Sequence, residues 1–244
     1  MRQEDPEAEK FLQYFYDHCI LTLLSPILDL PDRSPTGMFS STPYVCSTDL
    51  ALADPPLSLS LHDIALTGHL CDLLCFFVTH HTFRSKYFVL SSPIALNVAK
   101  LFPTKHKHLR LAALRFFRAC VGKNDDFYNR FLIKNGLFGG VLEMVEGERA
   151  KDNLLASACL EFFEHIRAVS PSVASRLARI DLVEQHNAKA IINHLMERWG
   201  DRIRSLALLL PTFANLIARS EQNNEPPPPP ETSVADSSTE LTSK

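Results

Sequence analysis

Pairs of adjacent phenylalanines recur along this chain at a nearly regular interval. The pairs begin at residues 76, 116 and 162, so that successive pairs are 40 and 46 residues apart. Phe83 and Phe88 line up in the same way with Phe127 and Leu132. A period of this length, with three helices in each unit, is typical of armadillo and HEAT repeats. We therefore expect helices that bury aromatic faces against their neighbours and form a curved rod, which binds partners along its surface.

Residues that break helices are scarce between residues 1 and 220. The chain has only eight glycines, and five of its 16 prolines form the single run Pro226–Pro230. Strand signals are weak, because no short alternating runs separated by Asn-Gly or Asp-Gly turns occur. The sequence therefore predicts an all-α fold, an armadillo/HEAT-like helical repeat array (α-solenoid).

Apolar residues at three- and four-residue steps place the individual helices. Pro26 or Pro31 should end the first helix, Asn124 should cap the sixth, and a third repeat should open at Lys151. Gly200 should separate the last two helices, and Pro211 should bend the second of them. The predicted helices are Pro6–Leu24, Leu61–Val78, Phe83–Leu90, Ile94–Leu101, Arg110–Val121, Asp125–Lys134, Leu137–Val145, Lys189–Trp199 and Arg202–Arg219.

The domain organisation follows from shifts in composition. Residues 6–220 should form one helical domain, interrupted at 32–60 by a Ser-, Thr- and Pro-rich stretch that we expect to be a flexible surface insertion. Residues 221–244 are rich in Pro, Ser and Thr and are expected to be a disordered tail. The proline run within this tail could bind an SH3 or WW surface, but we favour a spacer.

Composition excludes several classes of protein. A hydrophobic fraction of 45% and a charged fraction of 22% are those of an ordinary folded protein, and a net charge of −3 lacks the basic field of a nucleic-acid binder. The six scattered cysteines suit a reduced cytosolic or nuclear protein. Residues 1–10 contain no signal sequence, and no apolar run reaches the roughly 20 residues of a membrane span, so we expect no membrane association.

Motifs for catalysis or metal binding do not stand out. No phosphate-binding glycine loop, G-x-S-x-G elbow or H-E-x-x-H motif occurs. His80-His81 and the pair His106 and His108 lie at predicted helix ends, where imidazoles commonly face solvent. Cys71 and Cys75 share a helical face with leucines, which favours a core position over metal ligation. We therefore expect no enzyme activity, no metal and no cofactor.

Two charged patterns also have structural explanations. Asp125-Asp126 lies in the first turn of a helix, where the helix dipole favours negative charge, and Glu161 with Glu164 lacks the apolar setting of a catalytic acid. The basic segment Lys105–Arg118 carries its apolar residues on one stripe, so it suits a stacked helix with a basic edge. We do not expect direct binding of nucleic acid.

Several segments resemble the SMEK region of protein phosphatase 4 regulatory subunit 3. The longest and most specific is ALRFFRACVGKNDDFYNRFLIKNGLF at Ala113–Phe138, and the similarity covers most of residues 8–222. The others are FLQYFYDHCI at Phe11–Ile20, FFVTHHTFRSKYFVL at Phe76–Leu90, NLLASACLEFFEHIR at Asn153–Arg167 and TFANLIARSEQ at Thr212–Gln222.

The resemblance implies a non-catalytic scaffold that assembles protein phosphatase 4. Its partners would be the phosphatase 4 catalytic subunit, a further regulatory subunit and phosphoprotein substrates, and dephosphorylation would belong to the catalytic subunit. Such proteins are mainly nuclear with a cytoplasmic pool and act in DNA-damage recovery and the cell cycle. The alternative is a stand-alone helical-repeat adaptor that binds peptides or nucleic acid.

This chain differs from the pattern that the resemblance implies. Family members normally begin with an EVH1-like domain, which nothing before Glu4 could supply, and the matching part is the C-terminal part of the conserved repeat region. We therefore expect a fragment of a longer protein or a shortened relative. The match is poor between Ser170 and Glu184.

Candidate partner-facing residues come from the most distinctive segment, because they are not obviously needed for burial. For Tyr128 a buried ring with a hydrogen-bonded hydroxyl is an equally good interpretation. The candidates are Arg115, Arg118, Lys123, Asp126, Tyr128, Asn129 and Arg130.

Overall fold

The computed structural model describes residues 6–31, 59–169 and 182–224, and these residues form helices without strands. Successive helices pack against each other as a repeat array, which confirms the predicted fold class. The helices are α1 (Pro6–Tyr14), a π-helical turn (Phe15–Cys19), α2 (Ile20–Leu28), α3 (Leu61–His80), α4 (Thr82–Ser91), α5 (Ile94–Ala99), α6 (Lys107–Gly122), α7 (Asp126–Lys134), α8 (Phe138–Glu148), α9 (Leu154–Val169), α10 (Leu182–Ala207) and α11 (Pro211–Asn224).

The long helices α3, α6 and α9 lie side by side, one from each repeat. The array is extended by α2 on the outer side of α3 and by α11 on the outer side of α9. The shorter helices α4 and α7 contact each other along one side of this layer. Each long helix therefore buries one face against the preceding repeat and another against the next.

Aromatic rings fill the seams between these helices. The ring centroids of Phe102 and Phe117 are 5.2 Å apart, and those of Phe163 and Phe213 are 5.0 Å apart. Phe116 and Phe162 are also fully enclosed. The predicted role of the recurring phenylalanine pairs is thus confirmed for the second and third pairs, because both members of each pair are buried.

A π-helical turn joins α1 to α2 and directs two aromatic rings inward. Phe15 and Tyr16 lie 5.4 and 6.3 Å from the ring of Phe77 on α3. The Tyr16 hydroxyl is hydrogen-bonded to Nδ1 of His81 at 3.0 Å, and burial raises the pKa of Tyr16 to about 12. The extra residue of a π turn changes which side chains face the neighbouring helix, and this turn provides the contact with α3.

Of the two prolines predicted to end this helix, Pro26 does not end it, and α2 continues to Leu28, three residues before Pro31. A proline has no N–H to donate to the carbonyl four residues before it. Here the hydroxyl of Ser25 donates to the Thr22 carbonyl at 3.0 Å, which compensates for the missing donor. The helix therefore passes through the proline.

The connections from α3 to α4 and from α6 to α7 have a left-handed residue at the same place. Thr82 has φ of 37° and Asn124 has φ of 49°, and each lies two residues after the last residue of the long helix. The prediction that Asn124 caps α7 is therefore wrong. That cap is Asp125, whose carboxylate accepts from the backbone N–H groups of Phe127 and Tyr128.

The predicted interruption at Gly200 is confirmed as a kink one residue before it, and a second break, which was not predicted, follows at residues 208–210. The helix α10 runs through Gly200 to Ala207, with a kink at Trp199, where φ is −128° and ψ is 22°. The chain then turns at residues 208–210, and Pro211 begins α11 instead of bending a helix. Proline suits the first position of a helix because its missing N–H would have no partner there.

The last helix extends to Asn224, so four residues that the sequence assigned to the tail are helical. Asn223 is buried, and its carbonyl accepts a hydrogen bond from the ammonium of Lys189 on α10 at 2.5 Å. The rest of the predicted tail and most of the predicted insertion at 32–60 lie outside the described residues. Both remain predictions.

A buried carboxylate joins three helices of the array. Glu148, at the end of α8, accepts from Arg110 of α6 at 3.1 Å and from the amide of Asn153 at 2.8 Å. The side-chain oxygen of Asn153 in turn caps α9 by accepting from the N–H groups of Leu155 and Ala156. The hydrogen bond from Asn153, with the cations Lys151 and Arg110, holds the pKa of Glu148 below its usual value.

The helix α3 is long and apolar enough, by length and composition alone, to cross a membrane. The prediction that no segment is long and apolar enough to span a membrane is therefore wrong for α3, as far as length and composition are concerned. However, α3 packs against α2, α4 and α6, as the core helix of a helical array does. Its buried thiol Cys71 has a pKa raised to about 12 by burial, which fits a cysteine that acts as a small apolar side chain.

Two glycines of α8 test the packing of this array. A Cβ at Gly140 would lie 2.6 Å from Cδ2 of Phe102, whereas a Cβ at Gly147 would meet nothing within 4 Å. We expect Gly140→Ala to lower the free energy of unfolding by about 1–2 kcal/mol, because Phe102 must move. Gly147→Ala should raise it by roughly 0.5–1 kcal/mol through helix propensity alone. Urea denaturation of both variants checks this, and equal effects would contradict the packing.

The Glu148 network predicts a pH dependence of stability. Because its pKa is lowered in the folded state, Glu148 stabilises the fold above the usual carboxyl pKa of about 4.3, and this stabilisation is lost as pH falls through the lowered value. We expect Glu148→Gln to cost about 2 kcal/mol at pH 7 and much less near pH 3. The half-exposed Glu164, paired with Arg167, serves as the control, and Glu164→Gln should cost less than about 0.5 kcal/mol. Urea denaturation from pH 7 to 3 measures both differences.

Candidate functional site

Three large aromatic side chains stand out from one side of the array. Phe83 and Tyr87 of α4 are 72% and 69% exposed, and Phe127 in the first turn of α7 is 62% exposed. Since α4 and α7 contact each other, the three residues lie on neighbouring helices, and we call them the aromatic edge. Exposed aromatic residues of this kind are the ones that most often anchor protein–protein interfaces.

A lysine and an aspartate fix the aromatic edge across the two helices. The ammonium of Lys86 on α4 lies 2.9 Å from Oδ2 of Asp125 and 5.1 Å from the centroid of the Phe127 ring. Asp125 also caps α7 through its other oxygen, which accepts from the N–H of Phe127 at 3.0 Å. One carboxylate therefore holds both the start of α7 and its contact with α4, so that Phe127 is presented in a defined position.

The neighbouring corner is held by a second ion pair. Arg84, next to Phe83, donates to the carboxylate of Glu9 and so ties α1 to the start of α4. Thr82 is a β-branched residue with φ of 37°, which is strained for this type of side chain. Its carbonyl accepts from the hydroxyl of Ser85 at 3.0 Å, which helps to hold the first turn of α4.

A different surface runs across α3, α6 and α9, and it carries ion pairs between successive repeats. Arg115 of α6 lies 3.2 Å from Asp72 of α3, and Arg118 lies 2.7 Å from Glu161 of α9. All four side chains are between 43% and 57% exposed, so each pair contributes about 1 kcal/mol or less. We call these two pairs the inter-repeat ladder.

The seven candidate interface residues are distributed over both surfaces and the core. Arg115 and Arg118 belong to the inter-repeat ladder, and Lys123 donates to the Thr79 carbonyl at 2.7 Å, at the corner between α3 and α6. Asp126 and Arg130 pair with each other at 2.8 Å beside Phe127, which places them on the aromatic edge.

Tyr128 and Asn129 are not at the surface, since each is only 2% exposed. Tyr128 lies in the interior near Ser85 and Cys120, and burial raises the pKa of its hydroxyl. A partner could reach almost nothing of either side chain. The buried ring predicted by the structural interpretation of Tyr128 is confirmed, but its hydroxyl has no hydrogen-bond partner among the described residues. The interface proposal retains the other five candidates.

The sequence prediction missed the aromatic edge because it assigned every recurring aromatic residue to the core. The alignment of Phe83 and Phe88 with Phe127 and Leu132 places equivalent residues together, but only Phe88 and Leu132 are buried. Residues five apart on a helix point about 140° away from each other, so both members of such a pair cannot face one core. Tyr87, four residues after Phe83, shares its exposed face.

The described residues offer no site for a metal. No group of three or more His, Cys, Asp or Glu side chains that could hold an ion occurs among them. The rings of His106 and His108 have centroids 6.1 Å apart, and His80 lies on the ring of Phe76 at 4.5 Å. In the basic segment Lys105–Arg118, all three arginines pair with acids, so the segment is less basic towards a phosphate backbone than its sequence suggests.

Comparisons with known proteins give a consistent result. A family model described as phosphatase 4 regulatory subunit 3 matches residues 1–222. Serine/threonine-protein phosphatase 4 regulatory subunit 3 of Drosophila melanogaster is 30% identical over 161 residues, which are 66% of this chain and 14% of that protein. Protein PPP4R3C1 of Mus musculus is 29% identical over 161 residues, which are 66% of this chain and 18% of that protein. This chain thus spans less than a fifth of either relative, and no solved structure matches it.

The ion pairs of the inter-repeat ladder predict that the two charges of a pair can be swapped by mutation with little loss of stability. Arg115→Glu places two carboxylates together and should lower the free energy of unfolding by about 1 kcal/mol or less, because both side chains are half exposed. Adding Asp72→Arg restores an ion pair of opposite sense and should recover most of that loss. Urea denaturation of the two single variants and the double variant measures the coupling. A double variant as unstable as the sum of the singles would contradict the contact.

Proposed function

The chain belongs to the phosphatase 4 regulatory subunit 3 family, and we propose that it acts as a non-catalytic scaffold subunit of a protein phosphatase 4 complex. The partners in this proposal are the phosphatase 4 catalytic subunit, a further regulatory subunit and phosphoprotein substrates. A nuclear location with a cytoplasmic pool belongs to the same proposal, as do roles in DNA-damage recovery and the cell cycle. Dephosphorylation is assigned to the catalytic subunit, and no catalytic residue is assigned to this chain.

The observation that supports a scaffold most strongly is the aromatic edge. Two of its exposed rings, Phe83 and Phe127, occur at equivalent places in two successive repeats, at the start of α4 and of α7, so the edge extends along the array. Phe127 is held in place by Lys86 and Asp125 before any partner binds, so little conformational freedom is lost on association.

The polar residues around the aromatic edge suit the rim of an interface. Arg130 and Asp126 beside Phe127 are 78% and 37% exposed at their side chains, and their pair is an ordinary i, i+4 pair. Such a pair is weak and can be exchanged for contacts with a partner at little cost. We therefore propose that Phe83, Tyr87 and Phe127 anchor the phosphatase 4 catalytic subunit.

Co-purification of the phosphatase 4 catalytic subunit tests the proposal. A tagged chain of residues 1–244 should recover this subunit from cell extract, and Phe127→Ser should reduce the recovery about tenfold or more, as removal of an aromatic anchor does. Leu154→Ser is the matched control, because Leu154 is 72% exposed at the start of α9, away from the edge, and this variant should bind normally.

Two further results would separate the alternatives. Binding of the catalytic subunit to Arg115→Glu, alone and together with Asp72→Arg, tests whether the inter-repeat ladder contacts this partner. The double variant restores the stability of the fold but not the original position of the two charges. If the wild-type chain recovers no catalytic subunit, or recovers a different partner through Phe127, the scaffold proposal is wrong and the adaptor alternative takes its place. Helicity measured by circular dichroism should be unchanged in every variant.

A further inference from the structure

The helices α4 and α7 begin on the same rim of the array. Contacts between successive long helices occur in the same order along both members of each pair, so α3, α6 and α9 run in the same direction. These contacts join Asp72 to Arg115, Thr79 to Lys123, Glu161 to Arg118 and His165 to Gly122. The start of α4 follows the end of α3, and the start of α7 follows the end of α6. The rim where the long helices end, the C-terminal rim, therefore carries the aromatic edge.

The helix α11 ends on the C-terminal rim as well. The part of α10 after its kink runs in the same direction as α8, which leads away from this rim to the start of α9. The contacts that show this join Gly139 to Trp199 and Glu146 to Arg202. The helix α11 then returns, and the hydrogen bond from Lys189 to the carbonyl of Asn223 joins the first half of α10 to the end of α11. The proline run Pro226–Pro230 thus follows a helix that ends on the same rim as Phe127.

The proline run is long enough to reach the aromatic edge. The end of α11 is in contact with α10, and α10 in turn is in contact with α7. Two spacings of 8–10 Å between packed helices amount to roughly 16–20 Å. The segment 225–230 covers about 19 Å in the polyproline II conformation, at about 3.1 Å per residue. The last prolines therefore reach Phe127, which is 62% exposed at the start of α7.

The chemistry of the proline run suits an aromatic surface. Proline-rich segments in the polyproline II conformation bind to exposed aromatic rings, because a preformed helix loses little entropy on binding. The ring of Phe127 is held by Lys86 and Asp125, so the surface is also formed before binding. Neither side of the contact has to be ordered at a large cost in entropy.

Charge favours the same contact. Residues 225–243 carry four acidic side chains and no basic one. On α7, Arg130 lies one turn from Phe127 with its side chain 78% exposed, and its pair with Asp126 is weak enough to be exchanged. Glu231 directly follows the prolines, so it comes close to Arg130 when the last proline lies on Phe127.

We propose that the proline run folds back onto Phe127 of its own chain and competes there with the partner of the aromatic edge. A tethered segment acts at an effective concentration in the millimolar range, so even a weak contact is populated about half of the time or more. Occupancy of this order lowers the apparent affinity of a competing partner about two- to fivefold. Control of phosphatase binding in this way rests on the proposed function, whereas the docking of the proline run does not.

Hydroxyl-radical footprinting of the full chain measures the docking without any partner, because the oxidation rate of a side chain reports its exposure. Replacing all of Pro226–Pro230 with serine, the serine-run variant, should raise the oxidation rate of Phe127 about two- to fivefold, because the ring is then uncovered. Leu154 is the control, since it is 72% exposed at the start of α9 on the opposite rim, and its rate should not change.

A pair of charge variants tests the contact with Arg130. Glu231→Lys should raise the oxidation rate of Phe127 part of the way towards that of the serine-run variant, because like charges then meet. Glu240→Lys makes the same change of charge further along the chain and should have a smaller effect. Equal effects of the two variants would contradict the contact between Glu231 and Arg130.

Binding of the phosphatase 4 catalytic subunit tests the competition. The serine-run variant should bind this subunit about two- to fivefold more tightly than the wild-type chain. If neither chain binds the subunit, the proposed function fails, but uncovering of Phe127 in the serine-run variant still demonstrates the docking. Equal binding of the subunit by both chains would overturn the competition.

Two footprinting results would overturn the docking itself. Equal oxidation of Phe127 in the wild-type chain and the serine-run variant would show that the proline run is a spacer. Protection of Phe127 that grows with protein concentration would show that the run binds another copy of the chain instead of its own. Circular dichroism of the serine-run variant should match that of the wild-type chain, because the replaced residues follow the last helix.

Discussion

Burial of aromatic rings between successive long helices is the interaction on which the rest of this structure depends. Helices as short as α5 and α7, with six and nine residues, are not stable in water alone. They persist because the seams between α3, α6 and α9 are filled by enclosed phenylalanines such as Phe116 and Phe162. Polar contacts then set the alignment of the repeats, most deeply through Glu148, which joins α6, α8 and the start of α9.

The exposed surfaces follow from this arrangement. Once the long helices have buried their rings, the short helices α4 and α7 need only one apolar face each, and their first turns are free to carry rings outward. Phe127 shows the consequence most clearly, because the cap residue Asp125 and Lys86 of the preceding repeat hold it at the surface. The proposed interaction site thus uses the same contacts that join two repeats.

The period, the helix-rich composition and most helix positions could be predicted from the sequence. The burial of Phe77, Phe88 and Leu132 followed from the spacing alone. The sequence could not predict details that depend on a shift of one residue. Both Asn124 and Asp125 are residue types that cap helices, and only the left-handed backbone at Asn124 shows that Asp125 is the cap. The π-helical turn at Phe15–Cys19 leaves no signal in the spacing, although it determines which rings meet α3.

The central claim is that the start of α4 and the start of α7 form the surface that meets the phosphatase 4 catalytic subunit. Hydrogen–deuterium exchange of the chain with and without that subunit measures this directly. We expect slower exchange at the backbone amides of residues 82–88 and 125–130 in the complex, with little change in α11. Association of the two proteins with unchanged exchange in both segments, or with protection confined to α9 and α11, would contradict the account.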